Sequence, residues 1–143
     1  MTLRMNDRHH YEIGVTRTAG KKIVFVRRRI GDLTVIAAKE KIETKKIVLL
    51  IKADKEDYSF YYKTAGGKIK LLATAKTRYI STEVAGGFTG VMIGLYATGN
   101  NKKCSSPADF DWFNDRQWPR LNPCTPPPLR SPVWLRYARS WRD

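Results

Sequence analysis

Short runs rich in Val, Ile, Tyr, Phe and Thr follow one another through residues 11–113, separated by turns of Gly, Asp and Lys. β-Branched and aromatic residues favour extended backbone, and strands at such regular spacing are typical of an antiparallel β-sandwich. No segment has a convincing helical period. The sequence therefore predicts an all-β fold with nine strands, at residues 2–5, 11–18, 22–30, 33–39, 46–53, 57–63, 68–73, 90–97 and 108–113.

The apolar run at residues 47–51 predicts a strand in the middle of a sheet. Ile47, Leu49 and Ile51 point to one face of such a strand, while Val48 and Leu50 point to the other. Both faces carry apolar side chains, so both are expected to be covered.

The Gly66-Gly67 pair predicts a tight hairpin turn. A predicted strand ends just before this pair and another begins just after it. Glycine adopts the positive φ that such turns require, so the two strands are expected to pair antiparallel.

The formal charge of +14 raises the question of a polyanionic partner, because clustered Lys and Arg neutralise phosphates and release counterions. The best candidate for an anion patch is Arg27 with Arg29, which share one face of a strand while Arg28 takes the other. This alternation divides the charge and favours a solvated, salt-bridged surface over nucleic-acid binding. No apolar run approaches the roughly 20 residues that a membrane span needs, so no membrane partner is expected.

Residues 114–143 differ from the rest of the chain in composition. They hold six of the seven prolines, three of the four tryptophans and six arginines, but no lysine. We therefore divide the chain into a domain at 1–113 and an irregular tail at 114–143. A docking tail in polyproline II form and a membrane-surface segment are open alternatives. The abrupt loss of lysine favours a non-native or disordered tail.

Four segments occur in the same order in one known module: NDRHHYEIGV, KIVFVRRRIGDL, YISTEVAGGFTGVMIGLYATGN and PADFDWF. The chain resembles the C-terminal β-sandwich domain of glycoside hydrolase family 43 β-xylosidases, over about residues 2–113. The resemblance implies a concanavalin A-like jelly roll. It also implies a five-bladed propeller before the sandwich, which carries the catalytic Asp, Asp and Glu.

The resemblance places Met1 partway into the module, so the sandwich is expected to be incomplete at its N-terminal strands. No position here corresponds to the catalytic Asp, Asp and Glu. We therefore expect an accessory module of a xylan- or arabinoxylan-degrading hydrolase that is non-catalytic alone, with no catalytic residue, cofactor or metal. Its expected partner is the propeller, and exposed strand edges predict self-association.

Phe88 is the candidate site residue that the resemblance favours, together with Gly86 and Gly87. In family 43 β-xylosidases, an aromatic residue in this segment lines the substrate end of the propeller pocket. The two glycines suit such a contact, because they adopt positive φ and let the backbone approach another surface closely. In the alternative interpretation, Phe88 is a core residue at the start of the following strand.

Other candidate residues carry weaker signals. Asp109 and Asp111 would share one face of a strand at about 6.7 Å, but an acid and a base must flank the scissile bond from opposite sides. The two aspartates are therefore expected to bond to nearby turn amides or to pair with basic residues, while Phe110 and Trp112 pack inward. His9 and His10 are adjacent on a strand and point to opposite faces, which does not favour a metal site. Cys104 and Cys124 lack zinc spacing.

Two further functions stay open at this level. Exposed tyrosines can stack on sugar faces, and Tyr61, Tyr79 and Tyr96 are candidates, so a basic carbohydrate- or nucleic-acid-binding sandwich is the alternative function. The N-terminus, MTLRMNDRHH, has no apolar segment of the secretory type. A chain expressed as given is expected in the cytoplasm, and the localisation of the parent enzyme is not fixed by the sequence.

Overall fold

The computed structural model describes residues 1–88, 90–100, 108–114 and 135–140, the last segment and Asn114 as backbone only. These residues form two five-stranded antiparallel sheets. The strands are β1 (Thr2–Asn6), β2 (His9–Thr18), β3 (Lys21–Ile30), β4 (Leu33–Lys41), β5 (Lys46–Ala53), β6 (Asp57–Thr64), β7 (Lys70–Lys76), β8 (Met92–Gly94), β9 (Asp109–Asn114) and β10 (Leu135–Ser140). The predicted all-β sandwich is confirmed.

Each sheet groups strands that follow one another along the chain. The first sheet has the order β4-β3-β2-β1-β8, and the second has the order β7-β6-β5-β10-β9. Strand β5 lies in the middle of the second sheet, and Leu50 on one face is as buried as Leu49 on the other. The prediction of a central strand covered on both faces is confirmed.

The core forms where the apolar sides of the two sheets meet. Tyr11 and Ile13 of β2 and Val24 and Val26 of β3 are completely buried, as is Phe60 of β6. The rings of Tyr11 and Phe60 meet edge to face with centroids 6.3 Å apart. Period-two alternation therefore divides each strand into a core side and an outer side.

The Gly66-Gly67 hairpin is present as predicted. Gly66 has a φ of 70°, and the amide of Gly67 donates to the carbonyl of Thr64 at 3.0 Å. Strands β6 and β7 pair antiparallel on either side of this turn.

Three features differ from the sequence prediction. A single turn of 3₁₀ helix at Thr77–Ile80 and a four-residue helix α1 at Thr82–Ala85 stand where no helix was predicted. The strand predicted at 90–97 is reduced to β8, because the described pairing joins it only to Thr2, Leu3 and Arg4 of the short strand β1. These three differences arise from tertiary contacts that a local pattern does not contain.

The segment predicted as an irregular tail contains the strand β10, which is a correction to that prediction. Strand β10 pairs with β5 along six residues and with β9 on its other side. The exposed backbone groups at the edge of a strand such as β5 bind another strand whatever its composition, and composition alone does not reveal this. Apart from Asn114, which ends β9, the other tail residues lie outside the described part of the chain, and the division at residue 113 stays a prediction.

Strand β4 ends the first sheet and carries exposed apolar side chains. Leu33 is 77% exposed, Val35 is 54% exposed and Ile36 is 48% exposed. Apolar edge strands pair readily with other chains, and a charged residue on the edge blocks such pairing. We therefore expect Val35→Lys to shift the protein towards the monomer, as measured by light scattering after size exclusion.

Thr82→Lys is the matched control, since it adds the same charge at an exposed position away from any sheet edge. Equal self-association of the two variants would show that β4 is not the contact.

Candidate functional site

The segment between β7 and β8 is anchored to the sandwich at several points. Ile80 is completely buried. The Asn6 side chain donates to the carbonyl of Ala85 at 2.9 Å, which ties the end of α1 to the turn between β1 and β2. The amide of Gly86 donates to the carbonyl of Thr82 at 3.0 Å. These contacts fix the backbone up to the two glycines that follow.

Phe88 extends into solvent beyond these glycines. Gly86 and Gly87 have φ values of 70° and 92°, a left-handed conformation that favours glycine. A Cβ at Gly87 would lie 3.6 Å from the methyl carbon of Met5, so this backbone runs close over β1. The Phe88 side chain is fully exposed, and the interpretation of Phe88 as a core residue is therefore wrong.

A polar cluster lies on the outer side of the first sheet and is centred on Glu12. Glu12 is 5% exposed although it points away from the core. Arg27 lies opposite it on β3 and donates from Nε to Glu12 Oε2 at 2.5 Å. The Tyr96 hydroxyl donates to Glu12 Oε1 at 2.6 Å. His10 Nε2 lies 3.7 Å from the same oxygen.

Burial and charge change the protonation equilibria of this cluster. Burial raises the pKa of Tyr96 to about 12, and its hydrogen bond to Glu12 acts in the same direction. Burial also lowers the pKa of His10 below its ordinary value, although the charge of Glu12 opposes this. For Arg27, burial disfavours the charged form, but Glu12 and Tyr96 outweigh it and raise the pKa of Arg27. The cluster therefore contains a neutral histidine and a neutral tyrosine around one ion pair.

The three consecutive arginines have three different environments. Arg27 is paired with Glu12, and Arg29 donates from Nε to the carbonyl of Gly31 at 3.3 Å. Arg28 points to the core side and donates to the carbonyl of Thr74 on the second sheet. The predicted division of the run between two faces is present. The anion patch of Arg27 and Arg29 stays a prediction.

The two histidines do not act together. His9 Nδ1 lies 3.3 Å from Oδ1 of Asn6, while His10 belongs to the Glu12 cluster. Among the residues that the structure describes, no group of three or more His, Cys, Asp or Glu residues is placed to hold a metal ion. Cys104 and Cys124 lie outside the described residues.

Asp109 and Asp111 lie on β9 at the edge of the second sheet. Asp111 Oδ2 is 3.5 Å from Lys46 Nζ, in agreement with the expected pairing to a basic residue. The intervening Phe110 and the following Trp112 are each about two-fifths exposed, so these aromatic rings are packed less completely than expected.

Sequence reasoning missed the importance of Glu12. The sequence feature that could have pointed to Glu12 is its position, as an acidic residue, between the apolar residues Tyr11 and Ile13 of one strand. The register between β2 and β3 places Arg27 opposite Glu12, and local sequence does not contain that register. Tyr96 was singled out for sugar stacking, but its contact with Glu12 depends on the path of the chain after β8.

Comparisons with known proteins identify this fold. The family described as beta xylosidase C-terminal concanavalin A-like domain matches residues 1–115. The chain belongs to this family. The resemblance to glycoside hydrolase family 43 C-terminal domains is thereby confirmed.

Relatives of this family 43 C-terminal domain are hydrolases. It is 40% identical over 117 residues to the non-reducing end alpha-L-arabinofuranosidase BoGH43B of Bacteroides ovatus, covering 81% of this chain and 22% of the relative. It is 27% identical over 113 residues to a xylosidase/arabinosidase of Butyrivibrio fibrisolvens, covering 79% and 22%. A solved structure, Bacteroides ovatus Xyloglucan PUL GH43B, is similar with a TM-score of 0.66 and 36% identity, covering 71% and 20%. The family 43 domain thus spans about a fifth of the length of these proteins.

The lowered pKa of His10 predicts a pH-dependent stability of the family 43 domain. The unfolded state binds a proton near the ordinary value of 6.5, and the folded state binds it only at lower pH. Unfolded chains therefore gain protons first, and the free energy of unfolding falls as the pH drops below about 6.5. We expect His10→Gln to flatten this decline in urea titrations at several pH values.

His9→Gln is the matched control, since His9 lies next to His10 but outside the Glu12 cluster. A decline that survives His10→Gln unchanged would assign it to other groups.

Proposed function

We propose that the chain is the accessory β-sandwich module of a family 43 glycoside hydrolase, and that it supports and partly lines the active site of a propeller catalytic domain. Phe88 carries this proposal. It is a fully exposed phenylalanine at the tip of a segment whose preceding residues are fixed to the sandwich.

The energetics of Phe88 favour a partner surface. Burying an exposed phenylalanine side chain stabilises a contact by about 1.5–3 kcal/mol. The hydrogen bonds at Ala85 and Gly86 hold the backbone before it in place, so little ordering is needed on contact. An anchored aromatic residue of this kind is suited to close one end of a sugar-binding pocket.

Gly86 and Gly87 contribute to the proposed contact because they have no side chains. Nothing lies within 4 Å of a Cβ built at Gly86, yet its φ of 70° disfavours any other residue. With no side chain at either position, the backbone itself can lie against the partner. We propose that Phe88, Gly86 and Gly87 together form the contact edge.

We propose that the chemistry belongs to the propeller and not to this chain. Asp109 and Asp111 lie on a single strand, and Asp111 is paired with Lys46. A glycosidase needs its acid and its second carboxylate on opposite sides of the scissile bond, and neighbours on one strand do not flank it.

We propose a terminal pentose as the substrate of the complete enzyme. The support is the names of the relatives, which are an arabinofuranosidase and a xylosidase/arabinosidase. Xylo-oligosaccharides and arabinoxylan fragments are therefore the substrates to test.

A chimeric enzyme tests the role of Phe88. In it, residues 1–115 of this chain replace the matching region of the Bacteroides ovatus arabinofuranosidase. We expect Phe88→Ala to raise KM for an aryl arabinofuranoside about tenfold, since ~1.4 kcal/mol of substrate contact is lost. Steady-state kinetics measure KM and kcat separately.

Leu33→Ala in the same chimera is the matched control, because Leu33 is an exposed apolar residue on the edge strand β4. Unchanged kinetics in Phe88→Ala would refute the lining role. Release of p-nitrophenol from aryl xyloside by the purified 143-residue chain would refute the accessory role.

A further inference from the structure

We infer that the sandwich carries a second binding site at the β2–β3 turn, and that this site binds an acidic saccharide. The site, here called the basic groove, is formed by that turn and by the connection from β4 to β5, and its volume is about 460 Å³. This volume is within the usual range for small-ligand sites. The preference for an anion rests on the groove itself, while the choice of a saccharide among anions rests in part on the proposed function.

Basic side chains dominate the walls of the basic groove. Five of the lining side chains are cationic, and one, that of Glu43, is anionic. The cationic side chains are those of Arg17, Lys21, Lys22, Lys41 and Lys45. A recess lined mainly by one sign of charge raises the local concentration of ligands of the opposite sign. The basic groove therefore favours an anion over a neutral sugar.

The register of the first sheet brings two of these cations together. Arg17 on β2 is directly opposite Lys22 on β3, so the two side chains point to the same face. Like charges that are directly opposite each other destabilise a pair of strands. An anion bound beside Arg17 and Lys22 would offset this repulsion, so the strand pair gains stability from the ligand.

Three cations of the basic groove are not neutralised by the described part of the chain. Arg4 and Arg27 each form an ion pair with a carboxylate. The ion pairs between described residues do not include Arg17, Lys21 or Lys41. Their charges can therefore act on a ligand.

The backbone of the basic groove is held in place by the fold. Ile42 is buried, and its amide donates to the carbonyl of Lys22 at 3.0 Å, which joins the β4–β5 connection to β3. Further along this connection, the Thr44 hydroxyl donates to the carbonyl of Lys46 at 2.7 Å. A ligand would therefore have to order the ends of the basic side chains but not the backbone, which lowers the entropic cost of binding.

Two features of the groove favour an acidic saccharide over a nucleic acid. Glu43 would repel a phosphate backbone, but its carboxylate can accept hydrogen bonds from sugar hydroxyls. A sugar acid carries such hydroxyls together with a carboxylate, which the cations bind through charge-assisted hydrogen bonds. Among the described residues that line the groove none is aromatic, so the bases of a single strand would have no ring to stack on.

The basic groove is remote from the Phe88 contact edge. The Phe88 segment is tied to Asn6, which lies at the turn before His9, the first residue of β2. Arg17 lies eight residues further along β2. At about 3.3 Å per residue, this separation is roughly 26 Å. The groove would therefore hold an acidic side group of a polysaccharide outside the active site of the complete enzyme.

Titration calorimetry on the 143-residue chain tests the basic groove. The probe is xylotriose that carries one glucuronic acid, and unsubstituted xylotriose is its neutral counterpart. We expect the acidic probe alone to bind saturably, with a Kd at or below the millimolar range. Arg17→Gln and Lys41→Gln should each weaken this binding about fivefold, since each removes one close charge contact. Added salt should weaken it as well, because the charges are exposed to screening.

Lys55→Gln is the matched control, since it removes the same charge from an exposed loop at the opposite end of β5 from Lys45. Its binding should equal that of the unaltered chain. Arg17→Gln relieves the repulsion with Lys22 and should not lower the midpoint of urea unfolding. Weaker binding by this variant is then not a result of unfolding.

No saturable binding of the acidic probe at millimolar concentration would overturn the proposal. Equal binding of neutral xylotriose would also overturn it, as would binding unchanged in both Arg17→Gln and Lys41→Gln, or an equal loss in Lys55→Gln. Tighter binding of inorganic phosphate or of a short single-stranded DNA would overturn it and assign the groove to phosphate groups. None of these results alters the Phe88 kinetics of the chimera, so the two proposals fail separately.

Discussion

Residues 10–13 of strand β2 are buried on both faces of the first sheet, and the packing of the sandwich depends on this. Tyr11 packs into the core against Tyr58 and Phe60, and its hydroxyl donates to the carbonyl of Lys76 at 2.8 Å. Its neighbour Glu12 faces the opposite side and is nearly as buried. Because neighbouring residues of a strand point to opposite faces, β2 packs Tyr11 between the sheets and holds the ion pair of Glu12 and Arg27 on the outer side.

Several basic side chains are paired with individual carboxylates. Arg4 pairs with Asp7 and Arg8 with Asp32 near the β1–β2 turn, and Lys76 pairs with Asp57 on the second sheet. Arg28 reaches between the sheets to a backbone carbonyl. Exposed pairs of this kind contribute little stability each.

Local pattern was sufficient for most of the strands, because β3, β5 and β6 are short runs rich in β-branched, aliphatic and aromatic residues between turn residues. Local pattern was also sufficient for the hairpin at Gly66, because a turn residue with positive φ is usually glycine and can be recognised in the sequence. It failed for β8 and β10, whose extents depend on which strand edge is available. It also failed for Glu12, because cross-strand register is a property of two segments together. Phe88, Gly86 and Gly87 were found through family resemblance, and their anchoring by Asn6 was not visible in the sequence.

The hydrogen bond from Asn6 to Ala85 has a consequence for how such enzymes diversify. It holds the Phe88 segment through a backbone carbonyl, which every amino acid possesses. Most side chains of this segment are therefore free to change while its attachment persists, and α1 contains no buried residue that would resist replacement. If this segment lines a substrate pocket as proposed, selection can alter the rim of that pocket without disturbing the hydrophobic core, so that a single sandwich serves catalytic domains with different sugar preferences.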